Sequence, residues 1–195
     1  MASGILPSKS ALRLRMRRQR LALAAASPRA AWQAANLAPA DRLTAFRVVS
    51  GYHPVGGEMD PGPLMSRLAA LGCRLALPAA VARDKPLQFR AADGAGDLVA
   101  DALGMPSPEE RATVLVPDLV IAPVLAFDGG GGRLGQGAGL FDLTLARLRS
   151  SGHVFVLGLA YAGQEVDSLP LEPHDERLDA ILTETGYSEF PGSSR

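Results

Sequence analysis

Leu12, Met16 and Leu23 recur near helical spacing through residues 8–26, a stretch rich in Leu, Arg and Ala that contains neither Gly nor Pro. That spacing predicts a helix, with Ser8 or Ser10 as its cap. Ser27-Pro28 then ends it and opens a second helix over 29–37, where serine caps and proline takes a first-turn position whose missing N–H costs nothing. Beyond this point short β-rich runs alternate with helical patterns. Strands are expected at 46–52, 74–77, 87–90, 119–122 and 154–160, with helices at 61–71 and 141–150 in crossover positions. The alternation is the signature of an α/β fold built on a mostly parallel sheet covered by helices. Segments 91–111 and 161–175 carry Gly, Pro and Asp and read as loops with short helical turns, and 191–195 as a frayed tail.

A chain of 195 residues fits a single domain, here 1–190, able to bury on the order of 70% of the surface its unfolded form exposes. No apolar run approaches the ~20 residues of a membrane span. The one cysteine, Cys73, lies in an apolar stretch and reads as a packing residue. Charge changes the picture more. Residues 1–40 hold seven of the 20 basic residues and none of the 20 acidic ones, leaving the remainder strongly acidic. An arginine-rich, acid-free start equally fits an organellar transit peptide, a nucleic-acid-binding arm or a helix on an anionic membrane surface. A secretory signal is not expected, because Lys9, Arg13, Arg15, Arg17, Arg18 and Arg20 interrupt any apolar core it would need.

Candidate chemistry concentrates at 127–142, where seven of sixteen residues are glycine. Glycine lets successive backbone N–H groups converge on one point, and a helix opening just beyond adds its positive dipole end, so the segment is suited to an anion. Arg133 adds a charged fork for phosphate oxygens, and Asp142 a hard oxygen ligand for a magnesium ion. A glycine-rich run equally describes a flexible surface loop. The run lacks the terminal Gly-Lys-Ser/Thr of a P-loop, and its spacing does not match the dinucleotide fingerprint.

The order Pro123-Val124-Leu125-Ala126-Phe127-Asp128, then Arg133-Leu134-Gly135, a second Gly-x-Gly and the aromatic-Asp pair Phe141-Asp142 resembles the signature of 5-formyltetrahydrofolate cyclo-ligases. Lys9 and Arg13 resemble that family's Lys-x-x-x-Arg near the start, and Glu58 and Asp60 its acidic step before a helix. His174-Asp175, with Leu178-Asp179 and Thr183-Glu184 after it, resembles its C-terminal His-Asp segment. The resemblance implies a three-layer α/β/α fold, with the basic helices of 1–40 packed on it as mature enzyme in the cytoplasm.

It further implies that ATP lies on Lys9, Arg13, Arg133, Leu134, Gly135, Gln136, Gly137, Ala138, Gly139, Phe141 and Asp142, and Mg2+ on Asp142 and Asp175. Glu58, Leu140 and Phe141 would contact the folate, and Arg133 and Glu58 would be the catalytic pair. Each has a plainer reading. Lys9 and Arg13 fit a solvated helix face, Glu58 a helix N-terminus, and Asp175 a cap for a turn at 176–180, while His174 reads as structural or exposed.

Five positions depart from the family's usual Arg-Leu-Gly-Tyr-Gly-Gly-Gly-Tyr-Tyr-Asp-Arg: Gln136, Ala138, Leu140, Phe141 and Leu143. The phosphate-holding frame survives. Two phenolic hydroxyls near the pterin do not, at about 1–3 kcal/mol for each partner left unpaired. Leu143 also removes a cation, and 95–110 lacks an aromatic that some members carry.

The implied activity is ATP-dependent conversion of 5-formyltetrahydrofolate to 5,10-methenyltetrahydrofolate, with ADP and phosphate released. The expected partners are the folate, ATP and Mg2+, with neither nucleic acid nor membrane, on a monomer or weak dimer. No serine or cysteine triad is visible, and His53, His153 and His174 lack metal-ligand spacing. Two alternatives remain: a diverged family member that binds nucleotide or folate without ligation, and a nucleic-acid module using the basic helix.

Overall fold

The computed structural model describes residues 8–92 and 98–192. Helices α1 (Lys9–Ala26), α2 (Ala30–Leu37) and α3 (Ala40–Leu43) lead into β1 (Val48–Ser50), α4 (Gly62–Ala70) and β2 (Arg74–Ala79). β3 (Gln88–Ala91), the short pair β4 (Val99–Ala100) and β5 (Pro106–Ser107), and β6 (Val114–Leu115) follow. Then come β7 (Leu119–Pro123), β8 (Ala126–Asp128), β9 (Arg133–Leu134) and α5 (Leu140–Ser151). The chain closes with β10 (Phe155–Leu159), β11 (Glu165–Val166), β12 (Ala180–Thr183) and β13 (Gly186–Glu189).

Eight strands form the main sheet in the order β13-β12-β10-β7-β1-β2-β3-β6. β12, β10, β7, β1 and β2 pair in parallel, while antiparallel pairing adds β13 at one edge and β3 and β6 at the other. Chain order reverses in the middle: β1 steps outward to β2, whereas β7 steps the opposite way to β10 and β12. Such a switch point opens a crevice beyond the carboxyl ends of the two central strands.

Period-two alternation divides the core between the sheet's faces. Leu119, Ile121, Leu157 and Leu159 pack with Ala30 and Ala34 of α2, Leu43 of α3 and Leu64 and Leu68 of α4. Val120, Ala122 and Val156 pack with Leu145 of α5 on the other side. Burial on both faces explains why β10 is apolar throughout its length. The result is the expected three-layer α/β/α arrangement.

α1 packs chiefly elsewhere, with only Leu23 and Ala24 near its end reaching the first of these layers. Leu12 and Met16, one turn apart, bury against Leu125, Ala126 and Leu134, so the helix packs on the small sheet β11-β8-β9 that continues from β7. Ser8 caps it as expected, its Oγ accepting from the amide of Ala11 at 3.3 Å. Ser27 does not cap α2: it closes α1, and α2 starts at Arg29 without a side-chain cap.

All five expected strands and both crossover helices are present, with β1 shorter and β2 longer than the pattern suggested. The turn expected at 176–180 is instead extended chain entering β12, which with β13 was not anticipated. The expected loop at 161–175 holds a 3-10 turn, Ala162–Gln164, as well as β11. Residues 93–97 of the other loop, and 193–195 of the tail, lie outside the described residues.

Candidate active site

A cleft of about 1090 Å³ opens at the switch point. Tyr52, His53, Val55 and Glu58 line it from the segment after β1, and Pro123, Val124 and Leu125 from the end of β7. The run 133–143 forms another wall, with Lys9 and Arg13 of α1 and the segment 172–176 closing over it.

The glycine-rich segment divides into two parts with different work. Asp128 is buried and organises the first: Oδ1 accepts from the amides of Gly130 and Gly132 at 3.0 and 2.9 Å, and Oδ2 from Leu169 at 3.0 Å. Residues 129–132 are therefore the turn between β8 and β9, outside the cleft, and of the glycine-rich run only the part from Arg133 to Asp142, where the phosphate loop is expected, lines it. There Gly137 and Gly139 adopt φ of 112° and 71°, the left-handed region that favours glycine. Gly139 is the N-cap of α5 and supplies no side-chain hydrogen bond, so the first-turn N–H groups and the positive end of the helix dipole are left to whatever enters the cleft.

Charged side chains converge beside that helix end. Arg133, its side chain only 2% exposed, donates from Nη2 to Asp142 Oδ1 at 2.6 Å and lies 5.9 Å from the centre of the Phe141 ring. Among the described residues its Nε is buried without a partner. Lys9 Nζ reaches Asp175 Oδ2 at 2.5 Å and Glu172 Oε2 at 2.8 Å, and Arg13 Nε donates to the carbonyl of Gly135 at 3.0 Å. Asp142 Oδ1 also accepts from the amide of Glu176 at 3.2 Å, which sets Asp142 and Asp175 on the same wall. Burial alone would lower the Lys9 ammonium, but its bonds to Asp175 and Glu172 outweigh burial and hold it above the ordinary lysine value. Burial likewise pushes Asp175 up, and the Lys9 bond and the Glu172 amide overcome that and leave it below the ordinary carboxylate value.

Each aspartate commits one oxygen, and its other oxygen meets no donor among the described residues. Two such hard-oxygen ligands on one wall fit a magnesium ion. Glu172, His174 and Asp175 also bring ligand atoms within 4.8 Å of one another. His174 is exposed, as expected, yet the absence of metal-ligand spacing around the histidines holds only if the flanking carboxylates are ignored. Glu172 was missed altogether. Its signal was the run Glu172-x-His174-Asp175.

Glu58 lines the cleft from the segment after β1, its side chain 4% exposed. Oε1 accepts from Arg20 Nη1 and Gln136 Nε2, both at 3.1 Å, and Oε2 from the amide of Val55 at 3.0 Å. It does not serve a helix N-terminus, since Asp60 Oδ1 takes the amide of Gly62 at the start of α4 at 2.8 Å. Leu140, Phe141 and Leu143, in the first turn of α5 around Asp142, line the cleft with Leu87, Leu103 and Met105 and give it an apolar patch. Asp175 caps no following turn; it closes the bend before it.

The basic helix is explained by the same cleft. Lys9, Arg13, Arg17 and Arg20 recur at near-helical spacing and reach, in turn, the 172–175 segment, Gly135, Gln136 and Glu58. Arg17 and Arg20 had no assigned role in the sequence, where arginines on a helix look solvated.

A doubly wound α/β chain with an anion-suited helix end at its switch point has the architecture of a ligand-binding α/β enzyme. The chain belongs to the 5-formyltetrahydrofolate cyclo-ligase family, whose profile matches residues 5–184. It is 35% identical over 147 residues to a 5-formyltetrahydrofolate cyclo-ligase of Mycolicibacterium smegmatis, covering 70% of this chain and 73% of that one. An Escherichia coli protein of the same name is 32% identical over 139 residues, covering 69% and 76%. The solved 5,10-methenyltetrahydrofolate synthetase of Aquifex aeolicus superposes with a TM-score of 0.79 at 26% identity, over 96% of this chain and 94% of that one. One from Mycoplasma pneumoniae, at 21% identity and a TM-score of 0.67 over 91% and 99%, shares the fold. Among the described residues no helix is long and apolar enough to cross a membrane.

Proposed function

We propose that this protein converts 5-formyltetrahydrofolate to 5,10-methenyltetrahydrofolate at the expense of ATP, releasing ADP and phosphate. One observation carries the reading. Lys9, Arg13, Arg133, Asp142 and Asp175, drawn from distant parts of the chain, meet in one cleft beside the uncapped start of α5. A volume of about 1090 Å³ lies at the upper end of the range for single small ligands and suits two substrates side by side.

In this reading Lys9, Arg13, Arg133 and the backbone from Leu134 through Gln136 and Ala138 to Gly139 hold the triphosphate. Asp142 and Asp175 hold Mg2+, which supplies charge neutralisation on the phosphates. Phe141 sits over Arg133 between the two substrates, and Leu140 and Glu58 face the folate. The formyl oxygen attacks the γ-phosphorus as ADP departs. N10 then attacks the activated formyl carbon and gives up its proton to solvent, and phosphate leaves from that carbon. Phosphoryl transfer asks the protein for alignment and for cations where charge develops, and this cleft offers both without a protein nucleophile.

The direct test is the absorbance of the methenyl product with ATP, Mg2+ and 5-formyltetrahydrofolate. Product formation that requires ATP is expected. Leu140, Phe141 and Leu143 favour one other reading, a binder that has lost ligation: calorimetric binding of both ligands with no product would establish it.

A further inference from the structure

Gln136 ties the two sides of the cleft together. Its Nε2 donates to Glu58 Oε1 at 3.1 Å, and Arg17 holds it from behind, donating to its Oε1 at 3.0 Å and to its carbonyl at 2.9 Å. The backbone of Gln136 belongs to the β9–α5 loop, between Gly135 and Gly137, on the phosphate side. Glu58 belongs to the segment after β1 and faces the folate in the reading above.

Arg20 completes the connection. Its side chain is 2% exposed, and Nη1 bonds the same Glu58 oxygen that Gln136 uses, while Nη2 reaches the carbonyls of Val55 and Gly56 at 3.3 and 2.9 Å. Gly56 and Gly57 both take positive φ, 56° and 79°, bending the turn around the guanidinium. Arg20 Nε stays buried without a partner among the described residues. A buried ion pair with an unsatisfied donor is a poor stabilising device, because desolvation offsets the attraction. Placed behind a carboxylate that lines the cleft, its effect is to fix where that carboxylate sits.

Building on the cyclo-ligase reading, we propose that Gln136 and Arg20 are positioning residues that fasten the Glu58 carboxylate to the phosphate loop, so that filling the nucleotide side sets the folate side. A phosphate drawing the loop amides toward itself moves the Gln136 side chain and, through one hydrogen bond, the carboxylate. Any such linkage is reciprocal: folate must tighten nucleotide by the factor by which nucleotide tightens folate. The connection belongs to this chain's own sequence, since glutamine occupies the position where the family's usual segment has tyrosine.

The experiment measures folate affinity by calorimetry on the full chain, with and without a non-hydrolysable ATP analogue and Mg2+, alongside turnover. The wild type is expected to show tightening of roughly fivefold to tenfold, at the lower end of site-to-site coupling. Gln136 is exposed, so Gln136→Leu folds, and its coupling ratio is expected to fall to one. Arg20→Lys retains a cation beside Glu58 and is expected to keep more of the ratio than Arg20→Met. If the wild type turns over but shows no tightening, or Gln136→Leu keeps the wild-type ratio, the positioning role alone is overturned. Equal losses in the two Arg20 variants overturn the part assigned to Arg20. A wild type that binds neither ligand overturns the cyclo-ligase reading and this inference with it.

Discussion

Arg133 donates to Asp142 at 2.6 Å, joining the end of β9 to the first turn of α5 and pairing a buried cation with a proposed metal ligand. Each group neutralises the other; in the proposed reaction ligands would divide them, the guanidinium going to phosphate and the carboxylate to the cation.

The two partners should therefore fail differently when removed. Arg133→Ala deletes a preorganised donor and is expected to lower turnover by about 100-fold or more. Its main effect should be on nucleotide affinity. Asp142→Asn keeps the size of the group but loses its charge, and the metal concentration needed for half-maximal activity should rise. Initial rates of methenyl formation across a magnesium titration separate the two; identical profiles would mean the pair acts only as an ion pair.

Lys9 and Asp175 set the pH window of the closed cleft. Asp175 lies below its ordinary value of 3.8, so its contribution to stability is present above 3.8 and disappears as pH falls through its lower folded value. Lys9 lies above its ordinary 10.5, so its contribution is full below 10.5 and disappears as pH rises through the raised value. The pair thus stabilises the protein throughout the neutral range. Lys9→Met should cost about 1 kcal/mol in urea unfolding at pH 7, as expected for a partly buried pair, and much less in strong acid. A penalty of equal size at both extremes and at neutrality would assign Lys9 to packing instead.

Much of the scaffold was legible because burial on both sheet faces writes itself as short apolar runs, and β1, β2, β7 and β10 all carry one. β12 was not, although Ala180-Ile181-Leu182-Thr183 is equally buried: four residues with no period of their own specify a strand only through the neighbour they pair with, here β10. The cleft was legible where chemistry and backbone need coincide, at Arg133, Gly137, Gly139 and Asp142. It was opaque where a residue acts through another. Arg20 looks like one more charge on a basic helix until Glu58 is found beside it, and the division of the glycine run depends on the carboxylate of Asp128, whose third amide comes from Leu169.

That division makes a prediction about paired glycines. At Gly131, φ is 76° and an added Cβ would lie 2.8 Å from the Leu178 carbonyl oxygen, so Gly131→Ala should lose roughly 1–3 kcal/mol of stability. At Gly139, φ is 71° but the space around it is open, so Gly139→Ala carries only the left-handed strain, about 1–2 kcal/mol. Nucleotide affinity should respond in the reverse order, since only Gly139 stands at the helix end facing the cleft. Thermal melts and nucleotide titrations on both variants check it; a larger affinity loss in Gly131→Ala would return the first half of the run to the site.

The last prediction concerns which carboxylates hold the metal. Asp175 shares a wall with Asp142, and its Oδ2 is fixed by Lys9 and the Glu172 amide, which leaves Oδ1 oriented but uncommitted. Glu172 is exposed, and its Oε2 faces Lys9 and His174 at 2.8 and 3.3 Å. An oriented ligand matters more than a mobile one, because a ligand that must first be ordered loses conformational freedom when the ion binds. Asp175→Asn should therefore raise the magnesium requirement by about 10–100-fold, the range seen when groups that hold or orient a metal are altered, and Glu172→Gln by far less. The measurement is the half-saturating Mg2+ for nucleotide binding in each variant, read by calorimetry so that turnover is not needed. Were Glu172→Gln to match Asp175→Asn, the ion would sit among Glu172, His174 and Asp175 rather than between the two aspartates. Cations that accept imidazole nitrogen, such as Mn2+, would then be expected to compete with magnesium there.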